Sequence, residues 1–180
     1  MPKRAALILL VAAFLAGGLA ITSSGGPYRP LSQLDDQVRS LAGVSRLRVR
    51  VVPVPGGIAD LGVNRDDVQA SMKQRLQEAG FEIMADEQED QLSAQLPRLT
   101  LRILGGTDPE VPGSICFAVA LEFEQEATID RLDEKMFLPT YTRKALGLVR
   151  KGRFPQSVRT MIDDLVDSFV KRHEQATRAR

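Results

Sequence analysis

The chain of 180 residues has no tryptophan, two tyrosines, one histidine and one cysteine, and aromatic residues make up 5% of it. So few rings exclude a stacking platform that reads bases or sugars, because such surfaces hold each ligand ring against an aromatic face. One histidine and one cysteine cannot build a His/Cys zinc site without extensive carboxylate help. A single thiol also rules out an intramolecular disulfide, and Cys116 falls inside an apolar strand pattern where it should behave as a small hydrophobe. Nor do nucleophile, base and orienting group form a set, since Ser114 and Ser157 stand in loop and cap contexts without the Gly-x-Ser-x-Gly turn. The pairs Gly56-Gly57 and Gly105-Gly106 lack the Lys-Ser/Thr or third glycine of a phosphate-binding loop, and they read as turns. The expectation is a non-enzymatic protein with no catalytic residue, no cofactor and no metal.

What is present suits one globular domain with short extensions. Hydrophobic residues at 43% and charged residues at 26% are enough to fill a core. The formal net charge of +1 names no partner. Its distribution says more: residues 76–134 hold 14 acids and three bases, and residues 143–180 hold ten bases and four acids. The domain should be electrically lopsided unless the fold interleaves the two halves.

The first thirty residues differ from the rest. Lys3 and Arg4 precede an uncharged apolar run of 17 residues, 5–21, and a Gly/Ser/Pro-containing stretch follows to Pro30. Residues 1–21 are expected to be a signal peptide cleaved near Ala20 or an N-terminal membrane anchor. The run is at the short end for a hydrocarbon core of about 30 Å. Either outcome exports the domain to the periplasm or cell envelope, where nucleic acid is not an expected partner. No cysteine lies near the end of the run, so a lipoprotein is not expected.

Residues 22–45 read as a linker with a short helix, in which Leu31, Leu34, Val38 and Leu41 recur at helical spacing. Arg46, Arg48 and Arg50 alternate with Leu47, Val49 and Val51 in the period-two pattern of a half-buried strand. Asn64 is a good N-cap with Asp66 and Asp67 in the first turn after it, and the helix should run over 65–79 before Gly80, burying Val68, Met72, Leu76 and Ala79. A short strand is expected over 81–85, then an acidic connection holding Asp86, Glu87, Glu89 and Asp90. Further strands follow over 99–104 and from Ile115, where Ile115, Phe117, Val119, Leu121 and Phe123 alternate strictly. An extended pattern over 136–148 contains Pro139, which calls for a sheet edge or a bulge. The last helix should run from Pro155 to Ala176 on a stripe that includes Val158, Ile162, Leu165, Val166 and Phe169, leaving 177–180 as a disordered tail.

The order β-α-β-β-β-β-α predicts an α+β domain over 46–176: a mainly antiparallel sheet of four to five strands with two helices on one face. The segments Leu61-Gly62-Val63, Gln77-Glu78-Ala79-Gly80-Phe81, 115–131, Thr140-Tyr141 and 158–169 together resemble a family of exported bacterial α/β domains of uncharacterised function. More distantly the layout is similar to small α/β domains of envelope assembly and transport accessory proteins. Members often carry Thr-Trp where this chain has Thr140-Tyr141, which is a departure from the pattern. The resemblance implies location and fold and brings no catalytic residue.

Two candidate features carry charge. Glu122, Glu124 and Glu126 lie on one strand face about 7 Å apart, and cross-strand Arg or Lys pairs are expected there in preference to a calcium site. Asp163 and Asp167 read as solubilising charge, and His173 as a cation near the negative end of the last helix. The interaction surface is expected on the edge segment and the basic loop that follows it: Phe137, Leu138, Tyr141, Arg143, Lys144, Arg150, Lys151 and Arg153. An alternative reading has Phe137 or Tyr141 filling the core. The expected role is a protein-interaction or accessory module of the envelope, meeting an envelope protein by strand addition. The alternative is a binder of anionic lipid or polysaccharide through the basic loop 143–153. Fusing residues 1–30 to alkaline phosphatase should give active enzyme in cells, and an inactive fusion at normal expression would refute export.

Overall fold

A computed structural model describes residues 31–84, 96–107 and 110–179. The apolar run 5–21 and the acidic stretch 86–90 lie outside the described residues. Among the described residues five strands form one sheet: β1 Arg46–Val51, β2 Glu82–Ile83, β3 Arg98–Gly106, β4 Ser114–Ile129 and β5 Glu134–Arg150. Four α-helices accompany them: α1 Asp36–Arg39, α2 Gly56–Ala59, α3 Arg65–Glu78 and α4 Phe154–Arg178. The domain is α+β, in the element order expected from the sequence: the single turn α1 falls within the short helix expected over 22–45, and the single turn α2 is the addition.

The strand order is β2-β1-β3-β4-β5. The long pairings β3 with β4 and β4 with β5 are antiparallel, but β1 lies parallel to both its neighbours. Hydrophobic alternation states which face a residue takes and says nothing of the direction of the adjacent strand, so this parallel half could not be read from it. Expected and observed termini also differ. Gly105 and Gly106 do not end β3 as a turn but belong to it, because β3 continues to Gly106 paired with Cys116. A β-carbon on Gly105 would stand 2.6 Å from Ile58 Cδ1, and one on Gly147 of β5 would stand 2.5 Å from the Phe117 ring. Gly105 leaves room for Ile58 of α2, and Gly147 for the ring of Phe117, which meets Phe154 edge-on at 5.2 Å.

One face of the sheet is closed. Leu47, Val49 and Val51, Leu99, Leu101 and Ile103, and the odd residues from Ile115 to Phe123 are buried under α3 and α4. Helix α3 starts as its sequence dictates, with the Asn64 side chain accepting from the Asp66 amide at 2.8 Å, and it buries Val68, Met72 and Leu76; Ala79 is exposed, at the C-terminal boundary. Helix α4 carries Pro155 in its first turn and buries Phe154, Val158, Ile162, Leu165, Val166 and Phe169. It continues to Arg178, and Ala179, in the expected tail, is buried and accepts from the Leu31 amide. The stretch read as a linker docks on the same core through Leu34, Val38 and Leu41.

Phe169 sits at the centre. Its ring lies 5.8 Å from Phe81, 5.6 Å from Phe123 and 5.7 Å from Tyr141, so one side chain of α4 meets the start of β2, the middle of β4 and the middle of β5. Phe169→Ala should lower the unfolding free energy by about 3 to 5 kcal/mol in urea titrations, since the packed rings cannot collapse into the space. A loss below about 1 kcal/mol would show that the stripe does not hold α4 to the sheet.

Candidate functional site

The strand β5 is an edge strand and also carries an irregularity. Register runs Phe123 to Tyr141, then Glu124 to Pro139, so Thr140 is the extra residue and Pro139 sits at the bulge. Counted by alternation alone, Phe137 and Tyr141 would share a face. The bulge separates them. Phe137 stands opposite Glu126 on the open face, with the Arg98 guanidinium 5.7 Å from its ring centroid. Tyr141 turns into the core at 1% exposure, and its hydroxyl has no hydrogen-bond partner among the described residues. It is therefore removed from the expected interaction surface. Leu138, opposite Gln125, is half-buried.

The basic segment is not a loop. Residues 143–150 continue β5, and Lys151–Arg153 form a 3-10 turn leading into α4. A strand sends alternate side chains to opposite faces, so the five cations do not form one patch. Arg143 lies on the helix-covered side, 5.8 Å from the Tyr141 ring centroid, whereas Lys144 and Arg150 project from the open face opposite Ala120 and Ser114. Lys151 and Arg153 belong to the turn beyond, and Arg153 borders a groove with Gln156 and Ser157 of α4.

Strand addition at β5 meets an obstacle that sequence could not reveal. The Thr142 amide donates to Gln37 Oε1 at 3.3 Å, and the Thr140 carbonyl accepts from Ser40 Oγ at 3.4 Å. Gln37 of helix α1 and its C-cap Ser40 thus occupy the outward backbone groups in the middle of the edge. Pro139 and the neighbouring cations blunt it further.

What the fold brings together is the open face of the sheet. Arg46, Arg48 and Arg50 of β1 stand beside Arg98 and Arg102 of β3, and Lys135, Lys144 and Arg150 of β5 complete the set. Against these eight cations the face carries, among the described residues, four carboxylates: Glu82, Glu122, Glu124 and Glu126. Each carboxylate is engaged. Glu124 accepts from Arg98 at 2.8 Å and from Thr100 at 3.0 Å, Glu122 from Arg102 at 3.3 Å and Glu126 from Lys135 at 2.8 Å, while Glu82 faces Arg46 at 4.0 Å. The cross-strand pairs expected for the glutamates are the ones observed. Burial works to raise the Glu124 pKa, but the hydrogen bonds from Arg98 and Thr100 and the charges of Arg98 and Arg102 outweigh it and hold the carboxyl below its ordinary value. The signal for this face was in the sequence, in the alternating arginines of β1 and in Arg98 and Arg102 of β3. Which strands adjoin was not.

Beside the charges lies an aliphatic strip. Across β3, β4 and β5 the register sets Leu104, Ala118 and Leu146 in one row and Gly106, Cys116 and Leu148 in the next. Leu104, Leu146 and Leu148 are 58%, 79% and 66% exposed, and Cys116 is exposed with them. The thiol is therefore on the open face and not the buried hydrophobe that the strand pattern suggested.

Other candidates resolve structurally. Asp163 and Asp167 are not idle solubilising charges: both bind Arg75 of α3, at 3.1 and 2.7 Å, and clamp α3 to α4. The hydrogen bond to Asp167 raises the Arg75 pKa above its ordinary value, with burial opposing. His173 is half-buried 4.5 Å from the Phe81 ring centroid, with Nε2 2.7 Å from the Val44 carbonyl. That contact requires an N–H on Nε2. A cleft of 310 Å³ between α3 and α4 is lined by Asp67, Ser71, Arg159 and Asp163 among others, and takes in none of the residues expected from sequence to bind a partner. Among the described residues no cluster of three His, Cys, Asp or Glu could hold a metal ion, and no helix is long and apolar enough to cross a membrane.

Comparison with known proteins adds little. No family model and no curated protein matches the chain. Among solved structures it is similar to a minor lipoprotein from Acinetobacter baumannii, at 16% identity over 71% of this chain and 91% of that one, with a TM-score of 0.38. A likeness of that size carries neither architecture nor activity across.

Burial lowers the His173 pKa, against the Val44 hydrogen bond and the Glu174 charge, so the native state prefers the neutral ring. The unfolded chain then takes up the proton first, below about pH 6.5, and stability should fall as pH drops from there through the native value. His173→Gln should flatten this part of the melting-temperature profile between about pH 7 and 5, and an unchanged slope would place the titrating group elsewhere.

Proposed function

We propose that this protein is a non-enzymatic accessory module of the cell envelope that meets an acidic partner protein across the open face of its sheet. One observation carries the reading: among the described residues, eight cations stand against four carboxylates on the sheet face that no helix covers, in a chain whose net charge is +1. Such a concentration sets up a local positive field that steers acidic partners and selects against basic ones. Edge pairing at β5 supports the reading less, because α1 holds the backbone at residues 140 and 142. The envelope location rests on Lys3, Arg4 and the apolar run that follows them.

A second reading, binding of anionic lipid or polysaccharide, draws on the same cations, with Lys151 just beyond Arg150. The two part on what is captured. Photocrosslinking residues placed in cells at Arg50, Lys144 and Arg150 should give protein adducts that weaken with salt and vanish when the other two cations are replaced by Glu. Control positions at Lys73 and Asp164, on the helices, should give none. Adducts confined to lipid or glycan would support the second reading, and adducts only from the helix positions would refute both.

A further inference from the structure

We propose that the aliphatic strip on the open face seats a helix of a partner protein that presents an apolar ridge flanked by carboxylates. This rests on the reading above and names the chemistry of the partner. The strip has the shape of a trough. Its floor follows β4 through Cys116, Ala118 and Ala120, all small, and Gly106 adds open space where a side chain would otherwise stand. Leu104 rises from β3 on one side, and Leu146 and Leu148 rise from β5 on the other. The two walls are two strand spacings apart, about 10 Å, and from Ser114 to Ala120 the floor is about 20 Å long. A helix with its side chains is about 10–12 Å across, so its apolar ridge enters between the walls while its shoulders lie over them, and small residues beneath the ridge allow close approach.

Charge chooses among the occupants. Arg102 and Lys144 flank the row at Ala120, Arg150 lies opposite Ser114, and among the described residues no carboxylate of β3, β4 or β5 stands in the four rows from Ala120 to Ser114. A second copy docking by this face would bring like charges together, since cations outnumber carboxylates on both surfaces. A membrane is disfavoured because, among the described residues, no tryptophan or tyrosine stands on this face: the chain has no tryptophan, and Tyr141 is buried in the core. An apolar ridge with glutamates or aspartates on its shoulders satisfies both the leucines and the cations.

Cys116 supplies the measurement, being the sole cysteine and lying on the trough floor. Its rate of modification by a thiol reagent can be followed in the full chain with an 18-residue synthetic helix carrying leucines at i, i+3, i+4 and i+7. One version has glutamates on both shoulders and the other lysines. The glutamate peptide should slow modification about tenfold at saturation, and the lysine peptide should leave it unchanged. Leu146→Gln with Leu148→Gln, both exposed and so neutral to folding, should abolish the protection. Protection that survives this double substitution, or no protection at all, overturns the proposal. So does protection by phosphatidylglycerol vesicles alone, or by raising the protein's own concentration, which would assign the trough to a membrane or a second copy. Loss of the trough while crosslinks at Lys144 and Arg150 persist removes this inference and leaves the cationic face intact.

Discussion

The contact between Phe169 and the three rings around it governs the remaining structure. Because Phe169 touches Phe81, Phe123 and Tyr141, a single position on α4 fixes the helix over β2, β4 and β5. Once α4 lies there, Arg75 of α3 finds Asp163 and Asp167 one turn apart, and α3 is set beside it over β1. Both amphipathic helices are then committed to one face. The opposite face must meet solvent or a partner with whatever the alternate residues of four strands happen to offer, and they offer arginine, lysine, glutamate and leucine.

Much of this was legible in the chain. Strict alternation over Ile115, Phe117, Val119, Leu121 and Phe123 located β4, and the stripe from Val158 to Phe169 located α4, because burial on one face imposes a period that the sequence must keep. The candidate surface was harder to see. Its residues were sought within one contiguous segment, 136–153, while a sheet face is assembled from alternate residues of strands far apart in sequence. A single bulge at Thr140 was enough to send Tyr141 inward and leave Phe137 out, and nothing in the composition of that segment announces where the extra residue falls beyond the presence of Pro139. Cys116 was misplaced by the same parity: it follows Ile115 in an apolar run, and only the odd members of that run are covered.

Charge asymmetry along the chain proved a poor guide to charge asymmetry in space. The acidic half contributes its glutamates at 122, 124 and 126 to the same face that receives arginines from β1 and β3, and the pairs so formed neutralise it locally. Among the described residues, what these pairs leave over is positive and lies on both sides of the sheet, with Arg50 on β1 and Lys144 and Arg150 on β5. The surplus emerges from pairing and not from the composition of either half.

The alternating arginines of β1 have a further consequence for how the chain reaches its fold. As the chain is made from its N-terminus, β1 appears first, yet its main parallel neighbour β3 begins at Arg98, more than forty residues later. The meander β3-β4-β5 closes through short turns and can form quickly, while β1 must wait for distant contacts whose loop-closure entropy is larger. Throughout that interval a valine-rich strand stands with unpaired edges, the kind of segment that pairs with other copies of itself. Arg46, Arg48 and Arg50 on every second position repel such copies, so the residues that give the finished sheet its cationic face also act as gatekeepers against aggregation while the sheet is incomplete.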